Sequence, residues 1–236
     1  MSLMSIPKSV MSALHGPIYR HRLRALVDAI VPHLNEGDEV IDVGCGNGTL
    51  GASIMADPSC PKGVRVRGLE RFPRGGEPIE VIPYDGTRMP LEDGAVDVVI
   101  VADVLHHEPD PDHLAKECAR VVGRRLIVKD HLVKGPLAQQ RISFIDWAAN
   151  APYGVPCLYR YNTPAGWAEF REKLGMEPVE ERQGMHVYPP LFEQIFGGGL
   201  HYFAVLRQRG GAGVTAAHDR ADGSPDDATE PEDGSS

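Results

Sequence analysis

An α/β fold built on a doubly wound, mostly parallel sheet is what this chain of 236 residues predicts. Three observations carry that prediction. Residues 38–51 run from a short apolar strand (Val40, Ile41, Val43) into glycines at alternating positions, Gly44, Gly46 and Gly48, and then into apolar residues at helical spacing. Val96 to Ala102 is almost continuously apolar, as expected of a strand covered by helices on both faces. Elsewhere short strands alternate with helical patterns, which is the rhythm of a parallel sheet.

The elements follow in order. Leu23, Leu26, Val27, Ile30 and Leu34 recur at helical spacing and predict an amphipathic helix over 18–34, with Pro32 ending its last turn and Gly37 capping it. After the first strand and the glycine turn, Leu50 to Met55 starts a short helix that Pro58 and Pro61 must stop. Val64 to Leu69 alternates as a strand and ends at Glu70, and Ile79 to Ile82 forms a third strand ending near Asp85. Residues 71–78 lack a helical pattern. A helix over 111–122 and a fifth strand at Arg125–Val128 follow the apolar fourth strand. Residues 131–166 then break the rhythm with aromatics and prolines, as a lid or acceptor-binding insertion does. Residues 164–174 read as a helix, Met176 to Arg182 as a strand and His201 to Leu206 as an antiparallel last strand. From Gly210 onward large apolar residues vanish, which predicts a disordered acidic tail. The expected organisation is an N-terminal segment over 1–17, one domain over 18–209 and the tail over 210–236.

Composition narrows the function classes. A net charge of −9 argues against nonspecific nucleic-acid binding, which relies on Lys and Arg to neutralise phosphates. No apolar run approaches the roughly 20 residues of a membrane span. Cys45, Cys60, Cys118 and Cys157 form no Cys-x-x-Cys pair, so neither a metal nor a disulfide framework is expected and a reduced, cytoplasmic setting is the default.

The glycine turn carries the chemistry. Without a Cβ in the way, a ligand can approach bare backbone at the start of a helix. Asp42 stands two residues before Gly44, where it would repel a pyrophosphate and attract a cation. This acid-x-Gly-x-Gly-x-Gly pattern resembles motif I of the class I S-adenosylmethionine (SAM) methyltransferases, of the type 11-like branch. Three later stretches resemble the same family in the right order: Glu70 after the second strand, Asp85 to Val99 around the third and fourth, and Ala102-Asp-Val-Leu-His-His107-Glu-Pro-Asp-Pro111. The resemblance spans roughly residues 38–130. It implies a Rossmann-like methyltransferase fold, SAM as cofactor, and a cofactor set of Asp42, Gly44, Cys45, Gly46, Glu70, Asp85, Gly86 and Asp103. Glu70 is expected on the ribose hydroxyls and Asp85 on the adenine amino group. Phe72 could neighbour the ring or belong to the core.

Gly46-x-Gly48-x-x-Gly51 also fits a dinucleotide fingerprint, so an NAD(P)-dependent oxidoreductase is the alternative, and a SAM-binding module without catalysis is another. Methyl transfer needs an aligned acceptor and, for a hydroxyl acceptor, a base. His106, His107, Asp130 and His131 fall where strands four and five end. Among them Asp130-His131 is expected to form an oriented base, with His107 as a second candidate. Trp147, Tyr153, Tyr159, Arg160 and Tyr161 are the expected contacts to a small organic acceptor. The Asn/Asp-Pro-Pro-Tyr/Phe sequence that members of this class methylating base or amide nitrogens carry after strand four is replaced here at Asp103, so the resemblance implies a small-molecule acceptor methylated at oxygen rather than a base or amide nitrogen.

Overall fold

The computed structural model describes residues 8–150, 157–193 and 199–210. Helix α1 (Lys8–Ile30) passes through a 3-10 turn (Val31–His33) containing Pro32 and leads to strand β1 (Glu39–Val43). Then come α2 (Thr49–Ala56), β2 (Arg65–Glu70), β3 (Val81–Pro83), β4 (Val96–Ala102), α3 (Pro111–Val121) and β5 (Val122–His131). The inserted helix α4 (Ala138–Asn150), helix α5 (Pro164–Lys173), β6 (Met176–Gln183), a short turn α6 (Pro190–Phe192) and β7 (His201–Gln208) complete the chain. The expected acidic tail and Tyr153 lie outside the described residues.

The strands form one sheet in the order β3-β2-β1-β4-β5-β7-β6. Neighbours through β5 pair in parallel, whereas β7 runs antiparallel to both β5 and β6. The mostly parallel, doubly wound fold with an antiparallel end is therefore present. Its order reverses between β1 and β4, the point at which such sheets open a ligand crevice beyond their carboxyl ends.

Alternation along the strands builds two cores. Val98 and Ile100 face α1 and α2 with Leu26, Ile30 and Ile54, while Val99 and Val101 face α3 and α5 with Leu114, Cys118, Trp167 and Phe170. The helices start where their caps dictate. Asp110 accepts a hydrogen bond from His113 N–H (3.0 Å) ahead of Pro111, and Thr163 accepts one from Gly166 N–H (3.1 Å) ahead of Pro164.

Three elements differ from the expectation. Helix α1 begins ten residues early, at Lys8, and carries Pro17 inside. Strand β5 is ten residues long rather than four, because pairing with β4 and β7 continues through Lys129, Asp130 and His131. The insertion holds a helix, α4, whose buried face (Ala138, Ile142) packs on Leu200. Residues 71–78 form no helix, in line with their pattern, and Phe72 is 81% exposed, so it is no core residue.

Candidate active site

Three strand tips converge on the crevice. Gly44 (φ +66°) turns the chain out of β1, and a Cβ there would meet Val104 Cγ2 at 2.6 Å. At Gly46 (φ +58°) a Cβ would meet nothing within 4 Å, so this backbone is open to a ligand. Glu70, at the end of β2, accepts hydrogen bonds from Gly46 N–H (2.9 Å) and Phe72 N–H (3.1 Å).

Asp42 is 2% exposed and its Oδ2 has no hydrogen-bond partner. Burial, reinforced by the Glu70 carboxylate, pushes its carboxyl up to about 7. Two neighbouring carboxylates, one of them with an oxygen free of hydrogen bonds, suit a cationic ligand. SAM, with its sulfonium and ammonium groups, meets that requirement, and a pyrophosphate does not.

The rest of the cofactor set is placed unevenly. Asp85 is exposed, and its Oδ1 closes a turn by accepting from Thr87 N–H (2.8 Å) and Thr87 Oγ1–H (2.5 Å). Gly86 lies under the Arg71 guanidinium, and its φ of +85° is the backbone conformation that calls for a glycine here. Arg71 in turn donates to Glu108 (2.6 Å). Cys45 is turned inward: its N–H donates to Leu69 O (3.3 Å) and its thiol packs on Gly68. Burial pushes that thiol up to about 12, which disfavours its thiolate form.

Asp103 departs from its expected part in the cofactor set. Its carboxylate accepts from Lys129 Nζ (2.5 and 2.7 Å) and also pairs with Arg22 of α1. Burial opposes its charge, yet Arg22 and Lys129 hold its carboxyl well below the usual range. Lys129 is 1% exposed, and burial, with Arg22 beside it, lowers it to about 8 despite Asp103. A lysine so deep in an apolar strand was the one sign of this pair in the sequence.

The expected Asp130–His131 base takes a different form. The Asp130 carboxylate stands between two rings, that of its neighbour and that of His106. Its Oδ1 lies 2.6 Å from His106 Nδ1 and also accepts from the His131 backbone N–H (2.6 Å). The His131 Nδ1, 3.3 Å from that oxygen, is out of line and has no partner. Burial lowers His131, whereas at His106 the nearby Asp130 carboxylate outweighs burial and raises the ring. Burial disfavours the Asp130 anion, but His106 holds its carboxyl far below the ordinary range.

Around this pair the rings cluster. His106 lies 4.0 Å from His107 and 4.5 Å from His131 between centroids, and His131 is 5.2 Å from Tyr161 and 5.4 Å from His201. His201 is buried with both nitrogens unpartnered, and burial, joined by Lys129, keeps it well below its ordinary value. Trp167 Nε1–H donates to His131 O (3.0 Å) and its ring stacks on Tyr202 at 4.3 Å, which fixes the tip of β5.

A cavity of about 210 Å³ opens beside His106 and Asp130, walled by Tyr161, Trp167 and Phe170, with Arg160 at its edge. Arg160 Nη1–H donates to Pro109 O (3.1 Å). Of the expected acceptor contacts, Arg160 and Tyr161 line this cavity. Trp147 and Tyr159 do not: they are 50% and 43% exposed. On α4 the inward face is Ala138, Ile142 and Asp146 at steps of four, which turns Trp147 outward against Phe144.

The family model described as a methyltransferase domain matches residues 41–125. The ubiquinone biosynthesis O-methyltransferase of Sodalis glossinidius is 33% identical over 187 residues, covering 69% of each chain. The same-named protein of Cupriavidus pinatubonensis is 29% identical over 175 residues, 68% of this chain and 67% of its own. The chain thus spans about two thirds of the length of these relatives. Among solved structures, the 1,6-didemethyltoxoflavin-N1-methyltransferase of Burkholderia thailandensis, with S-adenosylhomocysteine bound, superposes with a TM-score of 0.56 at 17% identity, covering 88% of this chain and 92% of that one. This chain belongs to the class I SAM-dependent methyltransferases. It is an enzyme that uses SAM, and the dinucleotide alternative falls. Among the described residues no helix is long and apolar enough to cross a membrane.

Proposed function

We propose that this methyltransferase moves the methyl group of SAM to a hydroxyl of a small organic molecule seated in the cavity beside His106. The buried His106–Asp130 pair carries the reading, and the names of the two O-methyltransferase relatives agree with it.

SAM, when bound, supplies an electrophilic methyl on a positive sulfur. Asp42 and Glu70 would hold the cationic cofactor, with the open backbone at Gly46 available to it and Asp85 as the expected partner of the adenine. The acceptor lies between Tyr161, Trp167 and Phe170, which exclude water and align its oxygen. As the C–O bond forms and the C–S bond breaks, the hydroxyl must lose its proton. Asp130 holds the Nδ1–H of His106, so the basic nitrogen is Nε2. That dyad activates the hydroxyl, and the demethylated cofactor leaves neutral at sulfur.

The test is a screen of phenols, alcohols and amines with isotope-labelled SAM. The expected product carries the label on oxygen, and Asp130→Asn lowers turnover while S-adenosylhomocysteine still binds. Label recovered on nitrogen or carbon, or an unaffected Asp130→Asn enzyme, would overturn the assignment.

A further inference from the structure

We propose that His106, His107 and Asp146 together bind a divalent cation of the zinc type, with His106 shared between this site and the wall of the cavity. The Nε2 atoms of His106 and His107 lie 3.8 and 3.9 Å from the same oxygen, Asp146 Oδ1. The three donor atoms are all within 4.8 Å of one another. Separations of this size are too long for hydrogen bonds. They leave a gap shared by two imidazoles and a carboxylate. A tetrahedral ion with bonds of about 2.0–2.2 Å sets its ligands roughly 3.3 Å apart, so each donor need move only about half an ångström to close on it.

The groups behind these donors are arranged as metal ligands require. His106 has its Nδ1–H against Asp130, so the Nε2 lone pair faces Asp146. A carboxylate behind the ring in this way fixes the tautomer and strengthens a histidine as a ligand. Asp146 is fully buried and oriented from two sides, by Tyr161 O–H on Oδ2 (2.6 Å) and by Asn150 Nδ2–H on Oδ1 (2.7 Å). Independently, Asp130 Oδ2 is buried without a hydrogen-bond partner, which adds a second carboxylate directly behind His106. One dication balances Asp130 and Asp146. Two nitrogens and one oxygen suit Zn²⁺ or Co²⁺ and not Mg²⁺ or Ca²⁺, which prefer oxygen ligands.

No metal was expected from the sequence, because Asp146 lies on the inserted helix, far from the His-His pair. A set of three protein ligands leaves a coordination position for the acceptor oxygen. That role rests on the O-methylation reading: the bound hydroxyl becomes more acidic and releases its proton to solvent as the methyl arrives. His106 then holds the ion instead of taking the proton. The binding itself needs no acceptor.

Untagged full-length protein, stripped with a chelator, is titrated with CoCl₂ and followed by visible absorption. One equivalent with intense d–d bands, displaced by Zn²⁺, is expected. Asp146→Asn and His107→Gln should each weaken Co²⁺ binding at least tenfold while the thermal shift with S-adenosylhomocysteine persists. X-ray absorption of the Zn²⁺-loaded wild type should show two imidazoles, which decides the matter if a variant does not fold. Absence of a stoichiometric Co²⁺ spectrum, an all-oxygen shell, or variants that bind like wild type would overturn the site. No acceptor or SAM is present in the titration. A failed acceptor screen therefore does not touch the metal result, and a failed titration leaves O-methylation with His106 as the base.

Discussion

Replacing Asp42 with asparagine tests whether the crevice is built for a cation. In the ligand-free fold the buried Asp42 carboxyl is pushed from 3.8 to about 7. At about 1.4 kcal/mol per pH unit, its ionised form costs the empty protein on the order of 4 kcal/mol. The sign follows from proton counting. Between about pH 4 and 7 the folded state holds a proton that the unfolded chain has released, so stability falls as pH rises through this window. It is flat above the folded value. Asp42→Asn removes the titration and keeps the shape. The variant should match wild type near pH 4 and become more stable by up to about 4 kcal/mol above pH 7, read by urea denaturation at a series of pH values. SAM reverses the balance, because its positive groups favour the anion. Binding at pH 6 should release a proton, seen as a dependence of calorimetric heat on buffer ionisation enthalpy, and Asp42→Asn should abolish that release and weaken SAM. Parallel stability profiles for the two proteins, or SAM binding without proton release, would refute the reasoning.

Other substitutions probe the surrounding parts. Asp130→Asn, which removes the anion behind His106, should lower kcat by about 10²–10⁴ in the acceptor assay, with the SAM dissociation constant unchanged. Asp103→Asn leaves the buried Lys129 and the half-buried Arg22 without their counter-charge, and denaturation should show a loss of about 3–5 kcal/mol. Gly44→Ala forces a Cβ onto Val104 at a positive φ, so calorimetry should show SAM affinity falling with a stability loss of about 1–3 kcal/mol. For metal-free wild type, in which His106 is the base, activity should climb as pH passes its raised value, and a flat profile between pH 6 and 9 would exclude its titration from the rate.

The parallel half of the sheet was legible because Val40–Val43 and Val96–Ala102 are buried on both faces, and such strands are recognisable without knowledge of their partners. The glycine turn and the acids at the strand tips were legible because each depends on a backbone conformation or a charge fixed within a few residues. The acid–base centre was legible only as a set of residues. Its pairing depends on tertiary approach, and nothing in the local sequence shows that Asp130 takes His106, 24 positions away, as its hydrogen-bond partner. The Arg22–Asp103–Lys129 contacts and the approach of Asp146 to His106 cross 81, 26 and 40 positions of sequence. No local pattern specifies contacts of that range. Trp147 falls outside the cavity for a related reason: aromatic content marks the insertion, whereas helix phase decides which of its rings face inward.

The insertion leaves and rejoins the domain at almost the same point. Leu132 bridges Asn162, and Val133 N–H donates to Asn162 O at 2.9 Å. A segment with such a closed neck behaves as a cassette, since its length and content can change with no new demand on the sheet that carries it. Selection for a new acceptor can therefore rewrite residues 134–161 while the cofactor-holding frame stays as it is. Exchanging that stretch between relatives is a direct way to transplant acceptor preference.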